Sequence, residues 1–275
     1  MNLREETNFL LKKYGLKANK KLGQNFLINE EIIKEIVQKA DIQENDVIIE
    51  IGPGLGSLTK ELLEKAQKVI AIELDSNMVK ILKERFSLYN NFELIEADVL
   101  KVNLKELIKN YESVKVVANL PYYITTPIVM KLLEDKLKLK SITVMVQKEV
   151  GERFSSKPNS KEYGAITVSI NYYAEPKIIT YVPKENFDPI PEVDSCVIKL
   201  DIRDVPKVKI NDEKIFFNLI KAAFSQRRKT ISNSLTCIGK SKEEIKDTLE
   251  KLNINSNLRA ENLSIEDFAE ISNII

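Results

Sequence analysis

The sequence predicts an α/β protein: a mostly parallel sheet with helices on both faces, followed by a small all-helical domain. Three observations carry that reading. Between residues 47 and 146, short β-branched apolar runs alternate with stretches whose apolar residues recur at helical spacing, as strand–helix–strand units do. After Asp212 only helical spacing remains. The first apolar run, Val47–Ile51, breaks into Gly52-Pro53-Gly54-Leu55-Gly56 before Leu58, Leu62 and Leu63 resume a helical pattern. A strand, a glycine turn and a helix leave backbone N–H groups and a helix N-terminus free for a ligand.

Composition bounds the rest. A chain of 275 residues can hold one large core and a small appended domain. Its apolar runs are strand-length, so no membrane span is expected. The charged N-terminus lacks an apolar signal region, which predicts a cytoplasmic protein. Cys196 and Cys237 show no metal or redox spacing and read as small buried apolar residues in a reducing compartment rather than a disulfide or ligands. The chain has no histidine. That excludes Ser-His-Asp chemistry and almost every zinc site, so no metal is expected. Any chemistry must proceed without a base that titrates near neutrality.

In order along the chain, residues 1–28 form a basic N-terminal segment. Arg4, Lys12, Lys13, Lys17, Lys20 and Lys21 there suit either a solvated face or a phosphate-contacting arm. Asn29 is placed to cap a helix with Ile32, Ile33, Ile36 and Val37 on one side. Residues 29–201 make the sheet domain. After the glycine turn its strands are expected at Val69–Glu73, Phe92–Ile95, Val114–Ala118 and Ile142–Val146. Further strands are expected at Ile166–Tyr173, Ile178–Val182 and Val193–Asp201. Residues 202–211, with Pro206 and no clear period, read as a linker. Residues 212–275 are helical, and Ser264 with Asp267 forms a capping box for the last helix.

Ligands of open parallel sheets bind beyond the carboxyl ends of the strands. Glu50, Glu73, Asp98 and Asn119 all fall there. The glycine turn lacks Gly-Lys-Ser/Thr, which excludes a triphosphate P-loop, and Pro53 removes a donor that a pyrophosphate would use. Glu73 lies about twenty residues past the turn, where a carboxylate can accept hydrogen bonds from both ribose hydroxyls. That suits NAD, FAD or S-adenosylmethionine equally. Asp98 can accept from the exocyclic amine of a cofactor's adenine, or cap its own turn.

Asn119-Leu120-Pro121-Tyr122 is the most specific signal in the chain. Leu120 precedes proline and is held extended, while Pro121 fixes φ and offers no donor. The loop therefore presents two acceptors side by side, the Asn119 side-chain oxygen and the Leu120 carbonyl. They match the two N–H bonds of an exocyclic amine and would turn its lone pair toward an electrophile. Tyr122 supplies a ring face for a base. In Phe187-Asp188-Pro189-Ile190-Pro191, two prolines stiffen a loop expected to present the Phe187 ring.

These motifs fall in one order along the chain. They are Gln24-Asn25-Phe26-Leu27, Glu50 to Gly56, Glu73, Asp98, Asn119 to Tyr123, and Phe187 to Ser195. Together they resemble the KsgA/RsmA-type rRNA adenine N6,N6-dimethyltransferases. Phe224 to Lys229 and Arg259-Ala260-Glu261-Asn262-Leu263 are similar to that family's helical C-terminal domain. The resemblance implies a class I S-adenosylmethionine-dependent methyltransferase with a Rossmann-like, seven-stranded sheet and a C-terminal RNA-contacting domain. It implies that Asn25, Leu27, Gly52, Glu73, Asp98 and Asn119 bind the cofactor. It further implies a catalytic set of Asn119, Leu120, Pro121, Tyr122 and Phe187, with Asn119, Tyr122 and Phe187 holding the target adenine. The implied substrate is two adjacent adenosines in a hairpin loop near the 3′ end of 16S rRNA, met in the immature small ribosomal subunit by a monomeric enzyme.

Three rivals stand beside this reading. An erythromycin-resistance type would modify 23S rRNA through nearly the same motifs. Tyr123, Thr125-Thr126-Pro127 and the Ser225–Lys229 segment favour the small-subunit type instead. A non-catalytic RNA-binding assembly factor would not need the intact acceptor loop. A nicotinamide dehydrogenase is disfavoured, because no acid or base for hydride transfer is visible.

Overall fold

The structure is a computed structural model that describes residues 2–19 and 22–275. The chain divides into two compact units, Met1–Gly151 with Lys177–Ile202, and Glu152–Pro176 with Arg203–Ile275. The described strands are β1 (Phe26–Leu27), β2 (Val47–Ile51), β3 (Lys68–Glu73), β4 (Phe92–Glu96) and β5 (Val114–Asn119). They continue with β6 (Leu139–Gln147), β7 (Ala174–Val182), β8 (Phe187–Asp188) and β9 (Ser195–Ile202).

Seven strands form one sheet in the order β4-β3-β2-β5-β6-β9-β7. From β4 to β6 the pairs are parallel, and β9 runs antiparallel to β6. Every residue of β2 is buried, as a continuous apolar run in a sheet covered on both faces should be. The chain leaves β2 toward β3 and β4 on one side, then returns to β5 and β6 on the other. Strand order therefore reverses between β2 and β5, where open α/β sheets form their ligand crevice.

Local chemistry explains the helices around this crevice. Asn29 caps helix Glu30–Lys39 by accepting the Glu31 and Ile32 N–H groups. That helix buries Ile33, Ile36 and Val37 in one cluster with Ile48, Leu58 and Leu62. Helix Ser57–Leu63 starts at Gly56, where φ is +84° and a Cβ would lie 2.4 Å from the Phe86 ring. Only glycine lets the turn come that close.

Two expectations are corrected. The first is Cys237, expected to be buried: it is exposed in the short Leu235–Ile238 turn, where its thiol donates to the Ser234 carbonyl at 3.1 Å. The basic N-terminal segment carries helix Leu3–Lys13, opened by a capping box between Asn2 and Glu5. Leu10, Leu11 and Tyr14 pack against Phe26, Leu55, Met78 and Ile81. Lys13 pairs with Glu84 at 2.5 Å, and Arg85 pairs with Glu6. The segment is thus part of the sheet unit, because its helix has an apolar side to bury there. Arg4, Lys12 and Lys17 remain exposed. Lys20 and Lys21 lie outside the described residues.

The second correction concerns Ile166–Tyr173, which is helix Ala165–Tyr173 rather than a strand. Its β-branched residues favour a strand by propensity, but propensity yields to packing. Val168 and Tyr172, four residues apart, join the core of Phe216, Leu219, Ile220 and Phe268. Thr167 Oγ1 accepts the Gly164 N–H at 3.1 Å and donates to the Arg153 carbonyl at 2.7 Å, which starts the helix. Residues 152–176 consequently cluster with the C-terminal helices, whereas the sequence placed them inside a 29–201 domain. At the chain's end, Ser264 and Asp267 form the expected capping box.

Candidate active site

The crevice is built where the loops after β2, β3, β4 and β5 meet. Gly52, at φ +68°, turns the chain directly after β2, and a Cβ there would lie 3.8 Å from Pro121 Cδ. The glycine turn and the Asn119–Tyr122 loop therefore face each other at the reversal of strand order. One pocket is lined by Asn25, Leu27, Gly52, Glu73, Asp98, Asn119, Leu120, Pro121 and Tyr122. Every expected site residue except Phe187 is in that lining.

Glu73 ends β3 and is anchored by backbone donors. Its Oε2 accepts the Gly54 N–H at 3.1 Å, and its Oε1 accepts the Leu74 and Asp75 N–H groups at 2.8 Å each. Burial pushes its carboxyl above the usual range even though these three bonds oppose the shift. Asp98 Oδ1 accepts the Leu100 N–H at 3.0 Å and so closes its own turn while lining the pocket.

Glu50, one residue before the end of β2, is 1% exposed, lines the same pocket, and has a buried Oε2 without a hydrogen-bond partner. Burial raises its carboxyl to about 8, and the nearby Glu73 charge adds to the shift. The Thr59 hydroxyl acts in the opposite sense, yet Thr59 Oγ1 also completes no hydrogen bond. Two buried carboxyls on one wall, one with an orphaned oxygen, suit a ligand that brings several donors. A nucleoside carrying an amino-acid tail fits that description, and S-adenosylmethionine is one.

The opposite wall carries the acceptor loop. Asn119 Nδ2 points to the Asn25 carbonyl at 3.4 Å, and Asn25 Nδ2 donates to the Gly23 carbonyl at 3.3 Å. Leu120 is buried, and its N–H donates to the Met145 carbonyl at 3.2 Å. The Pro121 carbonyl closes the turn by accepting from the Ile124 N–H at 3.2 Å and the Thr125 hydroxyl at 3.1 Å. Closing the turn thus does not use the Leu120 carbonyl. Tyr122 is half-buried, its hydroxyl is 2.7 Å from the Ser195 hydroxyl, and burial raises its phenol above the ordinary value.

Phe187 is the exception. It was expected to present its ring, but it is 0% exposed and packs in a cluster with Leu27, Val182 and Val197. The cause is the antiparallel pairing of β1 with β8, which sets Phe187 opposite Leu27. The structure also brings in residues that carried no site role on sequence alone. Ser195 orients Tyr122, and the rim of the pocket includes exposed Tyr123 and Leu74. Tyr123 and Ser195 stood within the motifs Asn119 to Tyr123 and Phe187 to Ser195, whereas Leu74 had only its position after Glu73 as a signal.

Among the described residues there is no His/Cys/Asp/Glu group able to hold a metal ion. No helix among them is long and apolar enough to cross a membrane.

Comparison with known proteins gives a consistent result. Residues 15–275 match the family model described as ribosomal RNA adenine dimethylase. The chain is 49% identical over 275 residues to ribosomal RNA small subunit methyltransferase A of Clostridium botulinum, covering 100% of this chain and 98% of that one. It is 47% identical over 269 residues to the protein of the same name from Clostridium acetobutylicum, covering 98% of each. Among solved structures, a dimethyladenosine transferase from Plasmodium falciparum superposes with a TM-score of 0.76 at 28% identity, over 88% of this chain and 94% of that one. The 23S rRNA methyltransferase ErmE gives a TM-score of 0.70 at 25% identity, over 90% of this chain and 98% of that one. The sheet is that of a class I S-adenosylmethionine-dependent methyltransferase, and S-adenosylmethionine is the methyl donor. With the strand order, the glycine turn and the acceptor loop in place, the chain belongs to the ribosomal RNA adenine dimethylase family.

Proposed function

We propose that this chain dimethylates N6 of two adjacent adenosines in a hairpin loop near the 3′ end of small-subunit rRNA. It would act as a cytoplasmic monomer on immature small subunits and so take part in their biogenesis. The observation that carries the chemistry is the acceptor loop set against the glycine turn, with Pro121 Cδ 3.8 Å from where a Gly52 Cβ would lie. When bound, S-adenosylmethionine supplies an electrophilic methyl group. Glu73, Asp98, Gly52, Asn25, Leu27 and Asn119 are the residues proposed to hold it, with Glu50 beneath the turn.

The chain's own contribution is placement. Asn119 Oδ1 and the Leu120 carbonyl would accept the two N–H bonds of the target amine and aim its lone pair. Tyr122, fixed by Ser195, would lie against the base. Extracting a base from a stack has a cost of a few kcal/mol, least in a loop. After transfer the cationic nitrogen is strongly acidic and its proton passes to solvent. A protein without histidine therefore lacks nothing that the reaction needs. Catalysis is positioning plus a polar cradle.

Small-subunit rRNA is favoured over large-subunit rRNA by the 49% identity to small-subunit methyltransferases, against 25% to ErmE. The exposed Arg227, Arg228 and Lys229 are proposed phosphate contacts, so binding should weaken steeply with salt. The test offers the enzyme immature small subunits, large-subunit rRNA and naked hairpin with labelled cofactor. Label is expected in the small-subunit particle. Label in large-subunit rRNA alone would overturn the assignment, and particle binding without label would turn it into an assembly factor.

A further inference from the structure

Tyr123 is the exposed residue of the Tyr122–Ile124 turn, at 59%, although it lines the same pocket as Asn119 and Tyr122. An exposed tyrosine is ordinary in itself. Its setting is not. A Cβ on Gly23, which sits at φ +64°, would lie 3.3 Å from Tyr123 Cδ1 and 3.5 Å from Pro121 Cβ. The ring thus lies against the Gly23 backbone, which also approaches the proline of the acceptor loop. Leu74, 52% exposed, lines the pocket as well. A rim that leaves a tyrosine ring and a leucine uncovered suits the face of a base better than a phosphate.

The reaction leaves such a face unpartnered. Drawing one adenosine out of a stacked loop strips its neighbour of a stacking partner. An aromatic ring at the mouth of the pocket can replace that partner for any base, because every base has a π-face. We propose that Tyr123 is the stacking platform for the nucleotide next to the target, so that the site takes a dinucleotide rather than a single base. This rests on the adenine-dimethylating reading given above. It also deepens that reading. When the second adenosine is the target, the first carries no N6–H to donate. A reader that accepts the neighbour's N6–H would then fail, whereas a stacking surface accepts the neighbour before and after methylation.

The test uses immature small subunits assembled with rRNA that carries either the natural base or an abasic nucleotide beside one target adenosine. Methyl groups are counted by nucleoside mass spectrometry. Binding of S-adenosylhomocysteine is followed by calorimetry. On the natural particle, Tyr123→Ala should raise KM about tenfold with kcat and cofactor affinity little changed, and Tyr123→Phe should stay within about twofold of the wild type. With the abasic neighbour the wild type should itself lose about tenfold, and Tyr123→Ala should lose nothing more. A wild type indifferent to the abasic neighbour overturns the platform. So does a Tyr123→Ala loss of equal size on both particles, or a loss in Tyr123→Phe. A wild type that labels no RNA at all overturns the dimethylase reading itself, and this inference with it.

Discussion

Glu73 and Gly54 are joined by a hydrogen bond of 3.1 Å from the glycine amide to the carboxylate, so the end of β3 holds the turn after β2. With the Leu74 and Asp75 amides also bonded, three of about four acceptor sites on the carboxylate are in use. Glu73 has room for fewer ligand hydroxyls than its position alone suggests. Glu73→Gln should weaken S-adenosylhomocysteine binding about tenfold or more, since hydrogen bonds to charged groups contribute about 1.5–3 kcal/mol. It should also lower the melting temperature, because the amide cannot accept at both ends. Calorimetry that finds wild-type affinity would remove Glu73 from the site.

Asn119→Ala should abolish turnover while leaving the fold and particle binding in place. It removes one acceptor from the amine, and a donor or acceptor of this transition-state kind contributes about 2.7–4 kcal/mol. Its contact with the Asn25 carbonyl, at 3.4 Å, is long and should matter little to stability. An Asn119→Ala rate within about threefold of wild type would refute the acceptor-loop mechanism.

Phe187→Ala should act through stability. A fully buried ring paired across from Leu27 is core, and truncating such a phenylalanine has a cost of about 3–5 kcal/mol. Urea denaturation should show an early midpoint, and cofactor affinity should fall with the folded fraction. If instead the midpoint holds and methylation alone is lost, the ring turns outward to meet the base.

Glu50 predicts a pH effect on the protein without cofactor. Its carboxyl rests at about 8 when folded, against 4.5 ordinarily. Between those values the native state keeps a proton that the unfolded chain has released, so stability falls as pH rises through that window. The same carboxyl contributes nothing further above it. Glu50→Gln cannot release a proton, so its melting temperature should be flatter from pH 5 to pH 8. Subtracting the two curves isolates Glu50 from Glu73, which titrates in the same sense, and from Asp46, whose carboxyl is lowered by the Gln43 amide and the Lys115 ammonium despite its burial. Parallel curves would mean that the Glu50 carboxyl is already paired.

Some of this protein is local and was therefore readable in the sequence. The Val47–Ile51 strand, the glycine turn and the Asn29 and Ser264 caps depend on residues within a few positions of one another. A buried parallel strand needs an unbroken apolar run, and a cap needs its donor two or three residues away. The acceptor loop was likewise legible, because proline restricts itself and the residue before it.

Tertiary structure decided the rest, where partners distant in sequence compete with local preference. Residues 165–173 have strand-forming side chains yet coil into a helix, because Val168 and Tyr172 find their core among the C-terminal helices. Cutting the chain after residue 211 would leave that helix without its core. Phe187 sits in a recognisable motif, but its pairing with Leu27 turns it inward. The Tyr122–Ser195 bond, the orphaned Glu50 oxygen and the Tyr123 ring backed by Gly23 exist only once the sheet is assembled. Sequence determined which groups the chain carries to the strand ends; long-range pairing of β2 with β5 determined that they meet. The physical reason is that a hydrogen bond or a burial is an energy between two places, and a sequence states only one of them at a time.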